Sequence, residues 1–202
     1  MSDFRFTGSL YTYCGERKYL NADERKRFLA ALPALENEAD RLFCELIFWT
    51  GCRISEALAT TPFNVDLDEG VLVIKSLKKR GALKGKAFRA VPVPRKVLDR
   101  LEACFQIRDQ QRSDHDAPRL WRFSRTTAWR LMKLAMERAK ICGVKSCARG
   151  LRHSVGVHAV LNNVPTYKLQ CWLGHARLET VAIYCNAIGP EDRAIAQRMW
   201  RG

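Results

Sequence analysis

Two short segments, residues 70–74 and 88–93, are the parts of this sequence whose composition favours strands. The first, Gly-Val-Leu-Val-Ile, is rich in β-branched residues and follows an Asp-Glu turn signal, and the second has the pattern of a returning strand. A Lys- and Gly-rich connection between them predicts a β-hairpin with a long basic loop. Because apolar residues elsewhere recur at helical spacing, the sequence predicts a mainly α domain with one small antiparallel β-sheet (α+β).

Local signals mark the ends of the predicted helices. Asn21 stands three residues before Glu24, which is the pattern of a capping box and predicts a helix to about Leu32. Gly51 is placed to end the next helix. Helices are predicted over residues 21–32, 36–49, 54–59, 94–105, 126–141, 149–162, 166–172 and 191–199, with a loose polar segment at residues 108–118.

The chain carries a large excess of positive charge. Its 202 residues include 35 Lys and Arg against 21 Asp and Glu, which gives a net charge of +14. The excess is concentrated in residues 75–100 and 119–152, each with ten basic residues and one acidic residue. A single basic window is often only a solvated face, but two such windows favour a localised basic surface. Nucleic acid and an anionic membrane are the partner classes that fit it.

Composition excludes several classes of protein. With 47% hydrophobic residues the chain can bury a substantial core, which argues against disorder and low complexity. No apolar run approaches the length of about 20 residues that a spanning helix needs, so neither export nor membrane insertion is expected. The eight cysteines form no Cys-x-x-Cys pair. They are interpreted as small buried hydrophobes in a reducing cytoplasm, with disulfides or a zinc site as the alternatives.

Four short motifs combine two arginines, a histidine and a tyrosine. Arg53 follows a helix-ending glycine, and Glu56 lies one turn further on, where it can orient the guanidinium. Arg152 stands at the start of a helix, where backbone N–H groups favour an anion. His175 follows a Leu-Gly turn, and Tyr184 comes nine residues later. Taken singly, these residues are typical of a structural ion pair, a core histidine and a packed tyrosine.

Together the motifs resemble those of the tyrosine recombinase (phage integrase-like) family. Arg53 lies in a Gly-x-Arg-x-Ser-Glu box and Arg152 in a Leu-Arg-His box, followed by Leu-Gly-His at His175 and then by Tyr184. The successive separations of 99, 23 and 9 residues also fit the family. The resemblance covers residues 19 to about 187 and implies the catalytic-domain fold of the tyrosine recombinases.

The resemblance implies a site-specific DNA recombinase that cleaves and rejoins strands without a metal, a cofactor or ATP. Arg53 and Arg152, assisted by His175, match the groups that meet negative charge on the phosphate oxygens. Tyr184 matches the nucleophile that forms a 3′-phosphotyrosyl link, which retains the bond energy for religation. In the family a lysine of the hairpin protonates the leaving oxygen. Lys78 is the predicted general acid, and Lys79 is the close alternative.

Double-stranded DNA is accordingly the expected partner, and no membrane is. Contacts to backbone phosphates are predicted for Lys79, Arg80, Lys84, Lys86, Arg125, Arg130 and Lys133. Because recombination joins two sites, we expect a homo-oligomer, a dimer or tetramer, on DNA. An accessory protein is a further option for completing a clamp around the duplex.

Arg149 departs from the family pattern. It stands three residues before Arg152, where the family usually has a histidine that serves in proton transfer. An arginine is not a base near neutral pH, but it can donate to a phosphate oxygen, so it is kept among the predicted site residues. His153 or water is then left to take the proton of the nucleophile.

Length is the second departure, because only about 20 residues precede the first predicted helix. The sequence resembles the short members of the family that are little more than a catalytic domain. We expect a tail at residues 1–18, a catalytic domain at 19–187, and a helical tail at 188–202 that is exchanged between protomers or folds back.

Two other functions are compatible with these residues. The first is a catalytically decayed DNA-binding regulator of the same fold, for which Arg149 is the support. The second is a type IB topoisomerase-like enzyme, which uses a similar set of residues but relaxes DNA as a monomer. The short amphipathic tail beyond Tyr184 favours recombination, because a tail passed between protomers implies assembly.

Overall fold

The computed structural model describes residues 9–76, 88–113, 118–186 and 190–200. Its α-helices are α1 (Ala22–Ala31), α2 (Glu38–Thr50), α3 (Ile54–Ala57), α4 (Arg95–Phe105), α5 (Ile107–Ser113), α6 (Arg125–Arg138), α7 (Ala148–Leu161), α8 (Thr166–Leu173), α9 (Glu179–Ala182) and α10 (Pro190–Met199). Short 3-10 helices cover Leu32–Ala34, Pro62–Asn64 and Ile183–Asn186. The strands are β1 (Val65–Asp66), β2 (Val71–Lys75) and β3 (Phe88–Pro92). The predicted α+β class is confirmed.

The sheet is antiparallel with the order β1-β2-β3, so the predicted hairpin supplies its two longer strands. Leu72 in the central strand lies opposite Val65 on one side and Val91 on the other, and all three are buried. β1 was not predicted, because two residues are too few to show an alternating pattern. The hairpin loop, with Lys78, Lys79, Arg80, Lys84 and Lys86, lies outside the described residues.

The predicted helix caps are confirmed. Glu24 N donates to Asn21 Oδ1 at 2.8 Å, and Asn21 N donates to Glu24 Oε2 at 2.9 Å, which completes the capping box of α1. Gly51 ends α2 with a φ of 61°, a left-handed conformation that glycine adopts without strain. A Cβ at Gly51 would lie 2.8 Å from Leu173 Cδ2, so this glycine also allows α8 to approach α2 closely.

The prediction of a loose segment at residues 108–118 is wrong for its first half, which forms α5. Gln106 adopts a left-handed conformation with a φ of 51° after α4, and the chain then turns into the new helix. Ile107 is fully buried and fixes the start of α5 in the core. The Gln111 amide donates to the carbonyls of Pro62 and Val65 at 2.8 and 2.9 Å. These contacts join residues that are far apart in the chain, so the polar composition of the segment does not predict the helix.

The core has two parts, and α7 lies between them. The larger part surrounds α2, whose Phe43, Leu46 and Ile47 are fully buried, and it also receives Leu151 from the start of α7. The smaller part is formed by Leu10, Tyr19, Val157, Ala159, Leu169, Leu173, Val181 and Tyr184. Because α7 packs into both parts, its position relative to α2 and to the chain around Tyr184 is fixed by burial.

All eight cysteines are free, and only Cys44 and Cys52 are buried, so the prediction of small buried hydrophobes holds for those two alone. In the described ranges no cluster of three or more His, Cys, Asp or Glu side chains is arranged to hold a metal ion. No helix there combines the length and hydrophobicity that crossing a bilayer demands.

Candidate active site

Arg53 is held at the start of α3 by Glu56, as the sequence predicts. Arg53 Nη1 donates to Glu56 Oε1 at 2.7 Å, and its backbone N donates to Glu56 Oε2 at 3.0 Å. The Glu56 side chain is 1% exposed, whereas that of Arg53 is 34% exposed. Burial alone raises the pKa of Glu56, but hydrogen bonds and charge from Arg89 and Arg53 outweigh it and keep that pKa below 4.5. The carboxylate is therefore ionised and fixes a guanidinium that still faces solvent.

Arg152 on α7 is buried and draws three chain segments together. Its Nη1 donates to the carbonyl of Gly51 at 2.8 Å, and its Nη2 donates to the carbonyl of Leu173. The same Nη2 lies 3.4 Å from His175 Nε2. Burial, with the nearby charge of Arg53, lowers the pKa of Arg152 to about 10, which leaves it a cation at neutral pH. The site thus holds a permanent positive charge beside the histidine.

His175 and Tyr184 are in direct contact. His175 Nε2 lies 3.3 Å from the Tyr184 hydroxyl and also faces the Arg152 guanidinium, which has no lone pair to offer. Nε2 therefore accepts, the ring proton sits on Nδ1, and the Tyr184 hydroxyl is the donor. Burial, followed by the charges of Arg152 and Arg53, lowers the pKa of His175 to about 4. The imidazole is neutral at pH 7 and available as a proton acceptor.

Tyr184 is enclosed by the smaller part of the core, with only 1% of the residue exposed. Burial raises its pKa, although the charges of Arg152 and Arg53 act in the opposite direction. Its ring lies against Gly156 of α7, where an added Cβ would be 2.5 Å from Tyr184 Cδ1 and Cε1. Gly156 therefore creates the space that the tyrosine occupies.

The close approach at Gly156 leads to a stability prediction. We expect Gly156→Ala to destabilise the protein by about 1 to 3 kcal/mol, because the overlap with the Tyr184 ring outweighs the better helix propensity of alanine. Thermal unfolding measures the change. The matched test repeats the substitution in a Tyr184→Ala background, where most of the penalty should disappear. An equal penalty in both backgrounds would show that the ring is not its cause.

His153 is a second histidine near the nucleophile. Its ring centroid lies 6.0 Å from that of Tyr184, and among the described residues its buried Nδ1 has no hydrogen-bond partner. Burial, followed by the charges of Arg152 and Arg149, lowers the pKa of His153 to about 4. The structure therefore places His153 near Tyr184, but it is His175 that contacts the hydroxyl.

The remaining predicted site residues are distributed on two helices and in the hairpin loop. Arg149 is exposed in the first turn of α7, and Arg125 and Arg130 are exposed on α6. Lys133 is half-buried, and its Nζ donates to the carbonyl and hydroxyl oxygens of Ser146 at 3.0 and 3.4 Å, which ties α6 to the segment before α7. Lys78 lies outside the described residues, so its distance from the other groups is not defined.

The sequence profile of the Phage integrase family matches residues 18–188, which include Arg53, Arg152, His175 and Tyr184. The chain belongs to this family. It is 32% identical over 171 residues to the tyrosine recombinase XerA of Thermococcus kodakarensis, covering 83% of this chain and 57% of that protein. It is 34% identical over 154 residues to the tyrosine recombinase XerD of Mycobacterium tuberculosis, covering 72% of this chain and 47% of that protein. The chain thus spans about half the length of these integrase-family relatives.

Solved structures of the integrase family share the fold. A crystal structure of XerA recombinase superposes with a TM-score of 0.72 at 24% identity, covering 91% of this chain and 63% of that one. The catalytic domain of bacteriophage HP1 integrase gives a TM-score of 0.62 at 21% identity, covering 90% and 95%. XerH site-specific recombinase, solved bound to its difH substrate, gives 0.70 at 21% identity, covering 95% and 60%.

Arg89 also belongs to this integrase site, although no sequence motif indicates it. In the sequence it is only one member of a basic window, yet Arg89 Nη2 donates to Glu56 Oε2 at 2.6 Å. A signal was present in the sequence, because Arg89 stands two residues before Val91 and strand residues two apart share a face. Arg89 and Val91 are both buried in the structure, whereas the neighbouring residues Phe88 and Ala90 are exposed.

Proposed function

We propose that the protein is a site-specific DNA recombinase that cleaves and rejoins DNA strands through a 3′-phosphotyrosyl intermediate on Tyr184. The observation that carries the proposal is the contact of His175 Nε2 with both the Tyr184 hydroxyl at 3.3 Å and Arg152 Nη2 at 3.4 Å. It joins a nucleophile, a neutral acceptor and a permanent cation in one cluster. Membership of the integrase family and solved relatives bound to DNA support the same function.

Each group has a defined task in the cleavage step. The Tyr184 oxygen attacks phosphorus as its proton passes to His175 Nε2, so a P–O bond to tyrosine forms and the bond to the 5′ oxygen breaks. Arg152 and Arg53 carry the positive charge that stabilises negative charge on the non-bridging oxygens. The departing 5′ oxygen needs a proton, for which the hairpin lysine Lys78 remains the proposed donor. Attack of a 5′ hydroxyl on the phosphotyrosine reverses these steps and reseals DNA.

The proposed function divides the chain into the same ranges that are predicted from the sequence. Residues 19–187 form the catalytic unit, and residues 188–202 are proposed as the tail that links protomers in an assembly on DNA. In this single chain α10 lies against the end of α7, where Arg198 Nη1 donates to Asn163 Oδ1 at 2.7 Å and its Nη2 donates to the carbonyl of Leu161. Exposed hydrogen bonds of this kind contribute little to stability, so they leave exchange of the tail between protomers feasible.

Covalent trapping tests the proposed function. The probe is a set of nicked duplexes tiled across the DNA that flanks the gene, incubated with the protein in a buffer containing a chelator. We expect a DNA adduct that survives denaturing electrophoresis and whose cross-linked peptide contains Tyr184. Binding without any adduct on every duplex would favour the decayed regulator. Relaxation of supercoiled DNA by the monomer without site preference would favour the topoisomerase.

Binding to DNA should depend steeply on salt. If the basic windows make at least about six phosphate contacts, the slope of log affinity against log salt concentration is on the order of −5. Replacing the exposed Arg125 and Arg130 by glutamine should flatten the slope by about 2 without changing the preferred sequence. Arg112→Gln on α5, outside both windows, is the matched control. A slope near zero for the unmodified protein would contradict the assignment of DNA as partner.

A further inference from the structure

Arg89 lies on β3 opposite Ile74 of β2, and its guanidinium is buried where the hairpin meets the active site. Its hydrogen bonds reach three separate segments of the chain. Nη1 and Nη2 donate to Glu56 Oε1 and Oε2 at 3.4 and 2.6 Å, Nη1 donates to Ser76 Oγ at 3.1 Å, and Nε donates to the carbonyl of Trp172 at 2.9 Å. One rigid fork of donors thus joins α3, the end of β2 and the end of α8.

The first link acts on Arg53 through their shared carboxylate. Glu56 accepts from Arg53 at Oε1 and from Arg89 at both oxygens. Two cations around one anion leave a net positive charge, whereas a carboxylate paired with Arg53 alone would cancel it. Arg89 therefore lets Glu56 orient Arg53 without neutralising the charge that meets the phosphate.

The second link acts on the hairpin. Ser76 follows β2 and is the last described residue before the loop that contains Lys78. Its hydroxyl accepts from Arg89 Nη1 at 3.1 Å, which fixes the point where the loop leaves the sheet. Lys78, the proposed donor to the leaving oxygen, stands two residues after this fixed position in the sequence.

The third link acts on the turn that carries His175. Arg89 Nε holds the carbonyl of Trp172, and the Arg89 side chain lies flat against Gly174. A Cβ at Gly174 would be 3.2 to 3.3 Å from Arg89 Cδ, Cζ and Nε, and Gly174 has a φ of 65°. The Leu-Gly-His motif therefore needs glycine for two reasons, the left-handed turn and the approach of the arginine.

We propose that Arg89 is a positioning residue that holds Arg53, His175 and Ser76, at the end of β2, in one arrangement. This inference rests on the proposed function and adds a residue that touches no reacting atom. Lysine cannot replace Arg89, because its single ammonium cannot reach the carboxylate, the hydroxyl and the carbonyl together in fixed directions. Arg89→Lys should keep the charge beside Glu56 while losing the alignment of the three segments.

Cleavage of two forms of the nicked duplex distinguishes the link to Ser76 from the links to Glu56 and to Trp172. One has the ordinary 5′ oxygen at the scissile phosphate, and the other has sulfur in its place, which leaves as a thiolate and needs no general acid because a thiol has a pKa of about 8.5. Single-turnover cleavage is measured for Arg89→Lys and Ser76→Ala, with Lys78→Ala as the reference for loss of the acid. Arg112→Lys is the matched control, since Arg112 lies on α5 outside both basic windows and pairs with Asp109 in solvent.

We expect Ser76→Ala to slow cleavage at oxygen by about 10-fold and to regain the normal rate at sulfur, as Lys78→Ala does. Arg89→Lys should lose about 100-fold at oxygen and recover only partly at sulfur, because Arg53 and His175 are displaced as well. Normal rates for Arg89→Lys at oxygen, or no recovery of Ser76→Ala at sulfur, would overturn the proposal.

Amide hydrogen exchange on the DNA-free protein supplies a readout that does not need catalysis. In Arg89→Lys, exchange should rise in both segments 71–76 and 172–175 and stay unchanged in α4. If the unmodified protein forms no adduct, only the proposed function is contradicted. The exchange pattern still shows whether Arg89 joins these segments. Unchanged exchange in either segment would count against the inference. If Arg89→Lys does not fold, Ser76→Ala is measured instead, and its exchange should rise in segment 71–76 alone.

Discussion

Tyr184→Phe is expected to form no covalent adduct with any nicked duplex, while its affinity for DNA stays within about 3-fold of that of the unmodified protein. Only the hydroxyl is lost, and the ring still fills the space beside Gly156. The lost hydrogen bond to His175 should lower the free energy of unfolding by about 1 kcal/mol. Denaturing electrophoresis measures the adduct, and a filter or mobility assay measures binding.

Tyr167→Phe is the matched control, because Tyr167 is 61% exposed on α8. It should form the adduct at the normal rate. An adduct that persists in Tyr184→Phe would identify another nucleophile and would overturn the alignment of the four motifs. Loss of both adduct and binding would point instead to disruption of the smaller part of the core.

The features predicted correctly from the sequence are those fixed by neighbouring residues. The capping box of α1 depends on Asn21 and Glu24, three positions apart, and the end of α2 depends on Gly51 alone. The contact of Arg53 with Glu56 is equally local, because the two residues are three positions apart at the start of α3. Such signals are readable without knowledge of the rest of the fold.

The features that were missed depend on residues far apart in the chain. Arg89 and Glu56 are 33 positions apart, and their pairing requires the sheet to pack beside α3. The start of α5 was missed because its support comes from Ile107 in the core and from the Gln111 amide bound to distant carbonyls. Polar composition gives no indication of either contact.

The group that accepts the nucleophile's proton could not be predicted from the sequence either. Because Arg149 stands where the family usually has a histidine, the sequence predicts His153 or water as the acceptor. The motifs gave the order of His175 and Tyr184, but not that Nε2 of the histidine would face the hydroxyl with Arg152 behind it. The tautomer follows from that arrangement of three side chains and from no single motif.

We expect His175→Gln to slow single-turnover cleavage by about 10² to 10⁴-fold, because an amide cannot take a proton from Tyr184. DNA affinity should change little. His153→Gln is the variant to compare with it, since His153 is the other histidine beside the tyrosine. It should retain most of the rate. A large loss in His153→Gln with little in His175→Gln would transfer the role of acceptor to His153.

The dependence on pH provides a second test of the same assignment. The neutral imidazole is the acceptor, and burial with the charge of Arg152 lowers the pKa of His175 from 6.5 to about 4. The neutral form therefore dominates well below pH 6.5, and protonation of this group should reduce cleavage only as the pH falls towards 4. An acceptor with an ordinary pKa would instead halve the rate near pH 6.5.

Stability must be followed over the same range, because the pKa values of His153 and His175 are both lowered from 6.5 to about 4 in the folded protein. Their contribution to stability is fully present above pH 6.5 and is lost as the pH falls through about 4, since the unfolded chain then binds more protons. Circular dichroism at each pH identifies the range in which the protein remains folded. Within that range, a cleavage rate in unmodified protein that falls near pH 6.5 would contradict neutral His175 as the acceptor.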